Sequence, residues 1–532
     1  MMLIPLLLWA MVANGATQII TLNPGQVQGF TYTTSSGDVA EIYLGIPYAA
    51  PPVGDRRFEK PATVTPWDTV RNGRAFGFSC HPHTREAVQP VASNEDCLTL
   101  NIIRPQKQAP PEGFPILFWV HGGGYEVGAS SAFGYEGFAD IYVPNDVISV
   151  TIQYRTGVYG FFSTGDSRIP GNLGLFDMAA ALKFVYDNAP NFGGDRTRIT
   201  VWGLSAGGAA AGQLALSPVS RNYVAGSIEM SGSPWVYWAM GPNVAKHSVE
   251  LAKELNCTGD DLKRCMKSKS VDQIYDAVLD VGYTQSTLDS VKWGPVLDGE
   301  FLTYPDEMVT KAPPKPSIVG VGDKDGTFFT LKWLSPYIHM YGLSPSDYRR
   351  FDKNSLVDFL KRMIRPDFYG NETENVYKAA KKYYVDRGDD STWEFYLDRY
   401  TEVFLTDVTF NVPLIDEVVA RRRYGSKMYV YSFDHYNDAI WSDDVPVRLR
   451  GSPHVNEYPY MFGVYALGNF SMTGKERTVA DVVQQSFISF AKTGIPTNNL
   501  SAWDEAGEDL RYLSISPYPQ MKNAFDQGEF DK

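Results

Sequence analysis

The pentapeptide Gly203-Leu204-Ser205-Ala206-Gly207 constrains the fold of this chain more than any other stretch. It closes an apolar run, Arg198–Gly203 (RITVWG), and opens a run of small helix formers, Ala206–Leu216. A serine held between glycines at such a junction stands on a sharp strand-to-helix corner, where neighbouring backbone leaves no room for a Cβ. The partial positive charge at the start of the helix favours negative charge developing beside the serine. Ser205 is therefore a candidate nucleophile, and the chain must supply a buried strand before it and a helix after it.

Other segments repeat this alternation. Pro115–Val120 (PILFWV), Val147–Tyr154 (VISVTIQY), Ser317–Val321 and Lys427–Phe433 are short apolar runs, and Leu175–Asn188 has helical spacing. Strands buried on both faces read as continuous apolar runs, so the pattern predicts an α/β fold around a mostly parallel sheet. Lys353–Arg365 and Asn371–Asp386 read as amphipathic surface helices. No repeat, low-complexity block or linker divides the chain.

A serine that attacks a carbonyl creates an oxyanion needing donors. His121-Gly122-Gly123-Gly124 ends the first apolar run and offers closely spaced N–H groups; the N–H of Ala206 offers another. In sites of this kind the acid and then the base follow the nucleophile along the chain. Of the seven histidines, His81, His83 and His121 precede Ser205, and His247 follows too soon to leave room for a strand bearing the acid. His339 sits in an aromatic segment that reads as packing. His435 ends an apparent strand, and His454 lies in a loop before an aromatic stretch. Order favours His454 over His435. For the acid, Asp323 and Asp325 both follow the run Ser317–Val321, and order does not choose between them.

With 48 basic against 61 acidic residues, the formal charge of −13 lacks the basic footprint of a nucleic-acid binder. A hydrophobic content of 44% excludes disorder. Residues 1–15 (MMLIPLLLWAMVANG) read as a signal peptide, leaving 16–532 as a single domain. No later segment has the ~20 continuous apolar residues of a membrane span, and the end of the chain carries neither anchor nor retrieval signal. Asn256, Asn371, Asn469 and Asn499 each begin an Asn-x-Ser/Thr sequon, so a secreted glycoprotein is expected. The order of Cys80, Cys97, Cys257 and Cys265 suggests two local disulfides, although four cysteines allow three connectivities.

Many ordered motifs together resemble the type-B carboxylesterase and cholinesterase family, from about residue 20 to about residue 515. They are Tyr43–Gly54 with Arg57-Phe58, Glu95-Asp96-Cys97-Leu98, His121–Gly124, Tyr154-Arg155 with Gly160-Phe161, Gly171–Asp177, Phe192-Gly193-Gly194-Asp195 and the Ser205 corner. Later come Ser231-Gly232-Ser233-Pro234, Pro295-Val296-Leu297-Asp298-Gly299, Asp325-Gly326-Thr327-Phe328-Phe329 and His454 before Tyr460–Gly463.

The resemblance implies an α/β-hydrolase fold, a large central sheet with helical insertions, and a serine hydrolase of carboxylic esters. It implies Ser205, Asp325 and His454 as the triad, and Gly123, Gly124 and Ala206 as oxyanion donors. The family's second strand-end histidine falls on His435. The two local disulfides match the family's, and Arg57–Glu95 and Arg155–Asp177 correspond to its structural ion pairs. A small-molecule ester is the implied partner, with no metal or cofactor.

Three departures point away from acetylcholine. Leu204 stands where much of the family has Glu. The loop between Cys80 and Cys97 has no Phe, Tyr or Trp to hold a cation. His121 precedes the glycines, as in general carboxylesterases, where cholinesterases tend to carry Tyr. Asp289 and Val291 stand in place of bulky acyl-pocket aromatics, implying a roomier pocket. The alternatives are a cholinesterase-like enzyme and a non-catalytic adhesion relative; the latter usually lacks a triad residue.

Overall fold

A computed structural model describes residues 18–282, 291–331, 341–388 and 391–525. The signal-peptide reading, His339 and Asp289 fall outside the described residues.

In chain order the strands are β1 Gln18–Leu22, β2 Gly25–Thr33, β3 Val39–Pro47, β4 Arg71–Asn72, β5 Thr99–Pro105, β6 Phe114–Val120, β7 Ile148–Ile152, β8 Gly194–Leu204, β9 Gly226–Met230, β10 Ser317–Gly322, β11 Met428–Phe433, β12 Tyr512–Ile515 and β13 Gln520–Lys522. Together these 13 strands form one sheet, ordered β1-β2-β3-β5-β7-β6-β8-β9-β10-β11-β12-β13, with β4 beside β2. From β7 to β12 every neighbouring pair is parallel, while β1, β2, β3, β5 and β13 pair antiparallel at the flanks. The sheet is thus mixed, with the parallel block at its centre.

The apolar runs form that block because both faces are covered. Every residue of β6 is buried. Alternation sends Ile116, Phe118 and Val120 into one core cluster and Leu117 and Trp119 into the opposite one. In β8, Ile199 and Val201 join the first cluster and Trp202 and Leu204 the second. The helix Ala206–Leu216 is buried throughout, and its alanines let it lie close to the sheet. On the other face, the helix Gly474–Thr493 contributes Val479, Val482, Val483 and Phe487.

Helix limits follow local chemistry. Lys353–Met363 buries Leu356, Phe359, Leu360 and Met363, and Asp352 caps it by accepting the Ser355 N–H at 2.9 Å. It stops two residues short of the predicted Arg365, because Pro366 holds Arg365 in extended backbone (φ −118°, ψ 155°). The predicted helix Asn371–Asp386 divides into an α-helix, Thr373–Ala380, and a π-helical turn, Lys381–Val385.

Both cysteine pairs are bonded, Cys80–Cys97 and Cys257–Cys265. Arg155 grips Asp177 with two 2.7 Å hydrogen bonds in a fully buried pair, and Arg57 pairs with Glu95. Register aligns one edge of the parallel block: Val120 lies beside Gly203, Leu204 beside Met230, and Gly322 beside Phe433. Chain leaving the carboxyl ends of these strands therefore converges there, where α/β sheets bind ligands.

Candidate active site

Ser205 directly follows β8. Its φ of 63° and ψ of −128° are costly for a residue with a Cβ. Surrounding structure enforces them: the Ser205 N–H donates to Met230 O at 2.8 Å. A Cβ on Gly203 would stand 2.2 Å from Gly207 O, and one on Gly207 would stand 2.1 Å from Val120 O. The glycines are thus what allows helix, Ser205 corner and β6 to meet.

Asp325 follows β10, and its Oδ1 accepts from His454 Nδ1 at 2.6 Å, with both side chains buried. Its Oδ2 accepts from the Ser231 hydroxyl at 2.7 Å and the Gly322 N–H at 2.8 Å. A carboxylate only accepts, so Nδ1 carries the ring proton and Nε2 presents its lone pair. That Nε2 is buried with no hydrogen-bond partner among the described residues. Ser231 also ties this pair to Ser205, because its neighbour Gly232 packs against Ser205 O.

Three rings surround the His454 imidazole: Phe410 at 5.0 Å, Phe329 at 5.2 Å and Phe328 at 5.5 Å between centroids. Phe410 comes from an 11-residue π-helix, Thr401–Asn411. A π-helical run is often found at a functional site.

The other candidates serve elsewhere. Asp323 accepts from the Ser452 N–H at 2.6 Å. His435 meets Glu476 at 3.2 Å, and burial lowers its pKa. Near Asp325 lies Glu457, almost wholly buried, with Oε2 unpartnered among the described residues. Burial and, next, the Asp325 charge raise its pKa, favouring the neutral acid.

Gly123 and Gly124 follow β6 with φ of 115° and 63°. Ala206 opens its helix, so its N–H has no intrahelical acceptor. Val291 borders the same loop, as a Cβ on Gly124 would meet its Cγ2 at 3.9 Å. Leu204 is fully buried in the cluster with Trp202 and Met230.

Three parts of this site carried no assigned role in the sequence: Ser231, Phe410 and Glu457. Ser231 stood within a recognised motif. Glu457 had only its place three residues after His454 as a signal, and Phe410 had none.

Among the described residues no group of three His, Cys, Asp or Glu side chains could hold a metal, and no helix is long and apolar enough to cross a membrane. All four sequon asparagines are exposed.

A strained serine follows β8 at the carboxyl edge of the parallel block, and a buried Asp–His pair stands past the end of β10 at the same edge. Comparison with known families matches residues 16–531 to the carboxylesterase family. The chain is 41% identical over 510 residues to gut esterase 1 of Caenorhabditis elegans, covering 94% of this chain and 89% of that protein. It is 42% identical over 512 residues to gut esterase 1 of Caenorhabditis briggsae, with the same coverage. The mouse (Mus musculus) pyrethroid hydrolase Ces2a is 30% identical over 540 residues, covering 96% of this chain and 90% of that one. The chain belongs to the carboxylesterase family, and it is a carboxylic ester hydrolase more similar to general carboxylesterases than to acetylcholinesterase.

Proposed function

We propose that the chain hydrolyses small carboxylic esters through Ser205, His454 and Asp325 by way of an acyl-enzyme. The observation that carries this reading is the Asp325–His454 contact, which leaves Nε2 bare at the sheet edge that bears the strained Ser205. His454 takes the Ser205 proton as the oxygen attacks the ester carbonyl. Gly123, Gly124 and Ala206 donate to the oxyanion. His454 then protonates the departing alcohol, and water repeats the sequence on the acyl-enzyme. Asp325 holds the tautomer and stabilises the imidazolium without taking its proton.

Residues 16–532 act as one catalytic unit in this reading, with 1–15 removed on secretion. Two disulfides and four exposed sequons fit an oxidising compartment and glycosylation. The test is hydrolysis of p-nitrophenyl butyrate beside acetylthiocholine by the wild type and Ser205→Ala. Fast butyrate cleavage, lost in the variant, with little thiocholine released, is the expected result. Serine-independent cleavage would overturn the assignment.

A further inference from the structure

His121 has no part in the proton transfers above, yet it is buried beside the oxyanion loop. We infer that His121 is a positioning residue for the oxyanion hole: its Nδ1–H holds the Gly122 carbonyl and so aims the Gly123 N–H at the substrate. The inference rests on the reading of Gly123 as an oxyanion donor and goes beyond it by naming what fixes that donor's direction.

Nδ1 lies 2.9 Å from Gly122 O. A carbonyl only accepts, so Nδ1 carries the proton. Nε2 is buried with no partner among the described residues, so this one bond selects the tautomer. Burial pushes the imidazole down to about 4, keeping it neutral at working pH.

The carbonyl of Gly122 and the N–H of Gly123 belong to one peptide unit. Among the described residues no peptide is cis, so the two groups point in opposite directions. Holding the oxygen on one side therefore presents the N–H on the other. Glycine on both sides of the peptide removes the steric barrier that elsewhere keeps a peptide from rotating. Here the anchor has to come from outside the backbone. The next unit needs no side chain: Gly123 O accepts from the N–H groups of Glu126 and Val127, both at 3.0 Å, which directs the Gly124 N–H.

The ring is itself clamped. It stacks on Tyr154 with centroids 4.3 Å apart and planes 16° from parallel. The Tyr154 hydroxyl donates to His121 O at 2.8 Å. Opposite, a Cβ on Gly128 would stand 2.5 Å from Gly122 O and 2.6 Å from His121 Nδ1. Burying an imidazole with one nitrogen unpartnered is costly, and an apolar side chain would fill the volume at less cost. The single bond to Gly122 accounts for the ring's presence.

The experiment compares His121→Ala, His121→Met, His121→Asn and Gly128→Ala in the full chain, each checked for folding by circular dichroism. Met fills the volume without a donor; Asn restores an N–H near the position of Nδ1. Readouts are kcat and KM for p-nitrophenyl butyrate and the affinity of an aryl trifluoromethyl ketone, which adds to the serine and creates the oxyanion. Losing one oxyanion donor lowers turnover ~100–1000-fold. Misdirecting one in part should lower kcat about 10–100-fold, with KM within about twofold. Ketone affinity should fall by the same factor as kcat, in Ala and Met alike, and Gly128→Ala should follow. Asn should recover most of both.

Wild-type kcat and ketone affinity in a folded His121→Met would overturn the inference. So would equal impairment of Met and Asn with ketone affinity retained, which is the signature of packing alone. If His121→Ala does not fold, the Met–Asn pair decides. Ser205→Ala separates this from failure of the active-site reading: activity surviving that change overturns both, whereas a serine-dependent enzyme indifferent to His121→Met loses only the inference.

Discussion

Replacing Asp325 by Asn should cost far more activity than loss of one charge suggests, because the surrounding donors dictate how the amide sits. Oδ2 accepts from the Ser231 hydroxyl and the Gly322 N–H; Oδ1 faces His454 Nδ1. An amide NH2 at the Oδ2 position would confront the Gly322 N–H, which cannot reverse its role. An unmet buried donor costs about 1–3 kcal/mol, and 1.4 kcal/mol is a factor of ten in population. The amide oxygen therefore takes the Oδ2 position and the NH2 turns to His454. Nδ1 must then accept, which moves the ring proton to Nε2, where the proposed mechanism needs a lone pair. A wrong tautomer of this kind lowers kcat by about 10⁴-fold. The assay is p-nitrophenyl butyrate hydrolysis at saturating substrate, with Asp323→Asn as control, since Asp323 bonds the Ser452 N–H and not His454. The control should stay within a few-fold of wild type. Retention of a tenth or more of wild-type kcat by Asp325→Asn would refute the tautomer argument.

Other expectations follow from the same structure. Phe410→Ala removes a ring 5.0 Å from His454; it should lower stability by about 3–5 kcal/mol in urea unfolding and reduce kcat more than it raises KM. The pair Cys80→Ser and Cys97→Ser opens a loop of sequence separation 17 and should destabilise by about 3 kcal/mol, making the variant's urea midpoint indifferent to reductant at that site.

The centre of the sheet was legible because strands buried on both faces write their burial into a continuous run. Pro115–Val120 differs from β6 by one residue. The start of β8 was not legible, since Asp195, Arg196 and Thr197 are polar, the last two exposed, and break the run. The flanking strands β1 and β2 bury only some of their positions and mix polar with apolar residues, so no run marked them. At the site, chain order brought the acid to two neighbouring carboxylates and no further. Choosing Asp325 over Asp323 depends on which side of a tight turn faces His454, a matter of backbone direction. Phe410 was invisible for a related reason. An α-helical reading of Thr401–Asn411 assigns the wrong angular position to each residue of a π-helix, and the side that faces the imidazole cannot be read from a 3.6-residue period.

The charge around Ser205 bears on which esters this site suits. Leu204, in place of an acidic residue, is fully buried among apolar side chains and adds no charge. Glu457 is the nearby carboxyl that could have restored one, but burial and then the Asp325 charge favour its neutral form. Asp325 is spoken for by His454, Ser231 and Gly322. The loop between Cys80 and Cys97 offers no Phe, Tyr or Trp face to a quaternary ammonium. A cation would find neither a carboxylate at position 204 nor a Phe, Tyr or Trp face in the loop between Cys80 and Cys97 to replace its hydration, whereas a neutral ester loses little. The net charge of −13 acts over the whole surface and is screened within about 8–10 Å at ordinary salt, so it does not compensate at the serine. The side chain at position 204 and the make-up of the first disulfide loop, rather than the global balance, therefore argue for neutral esters.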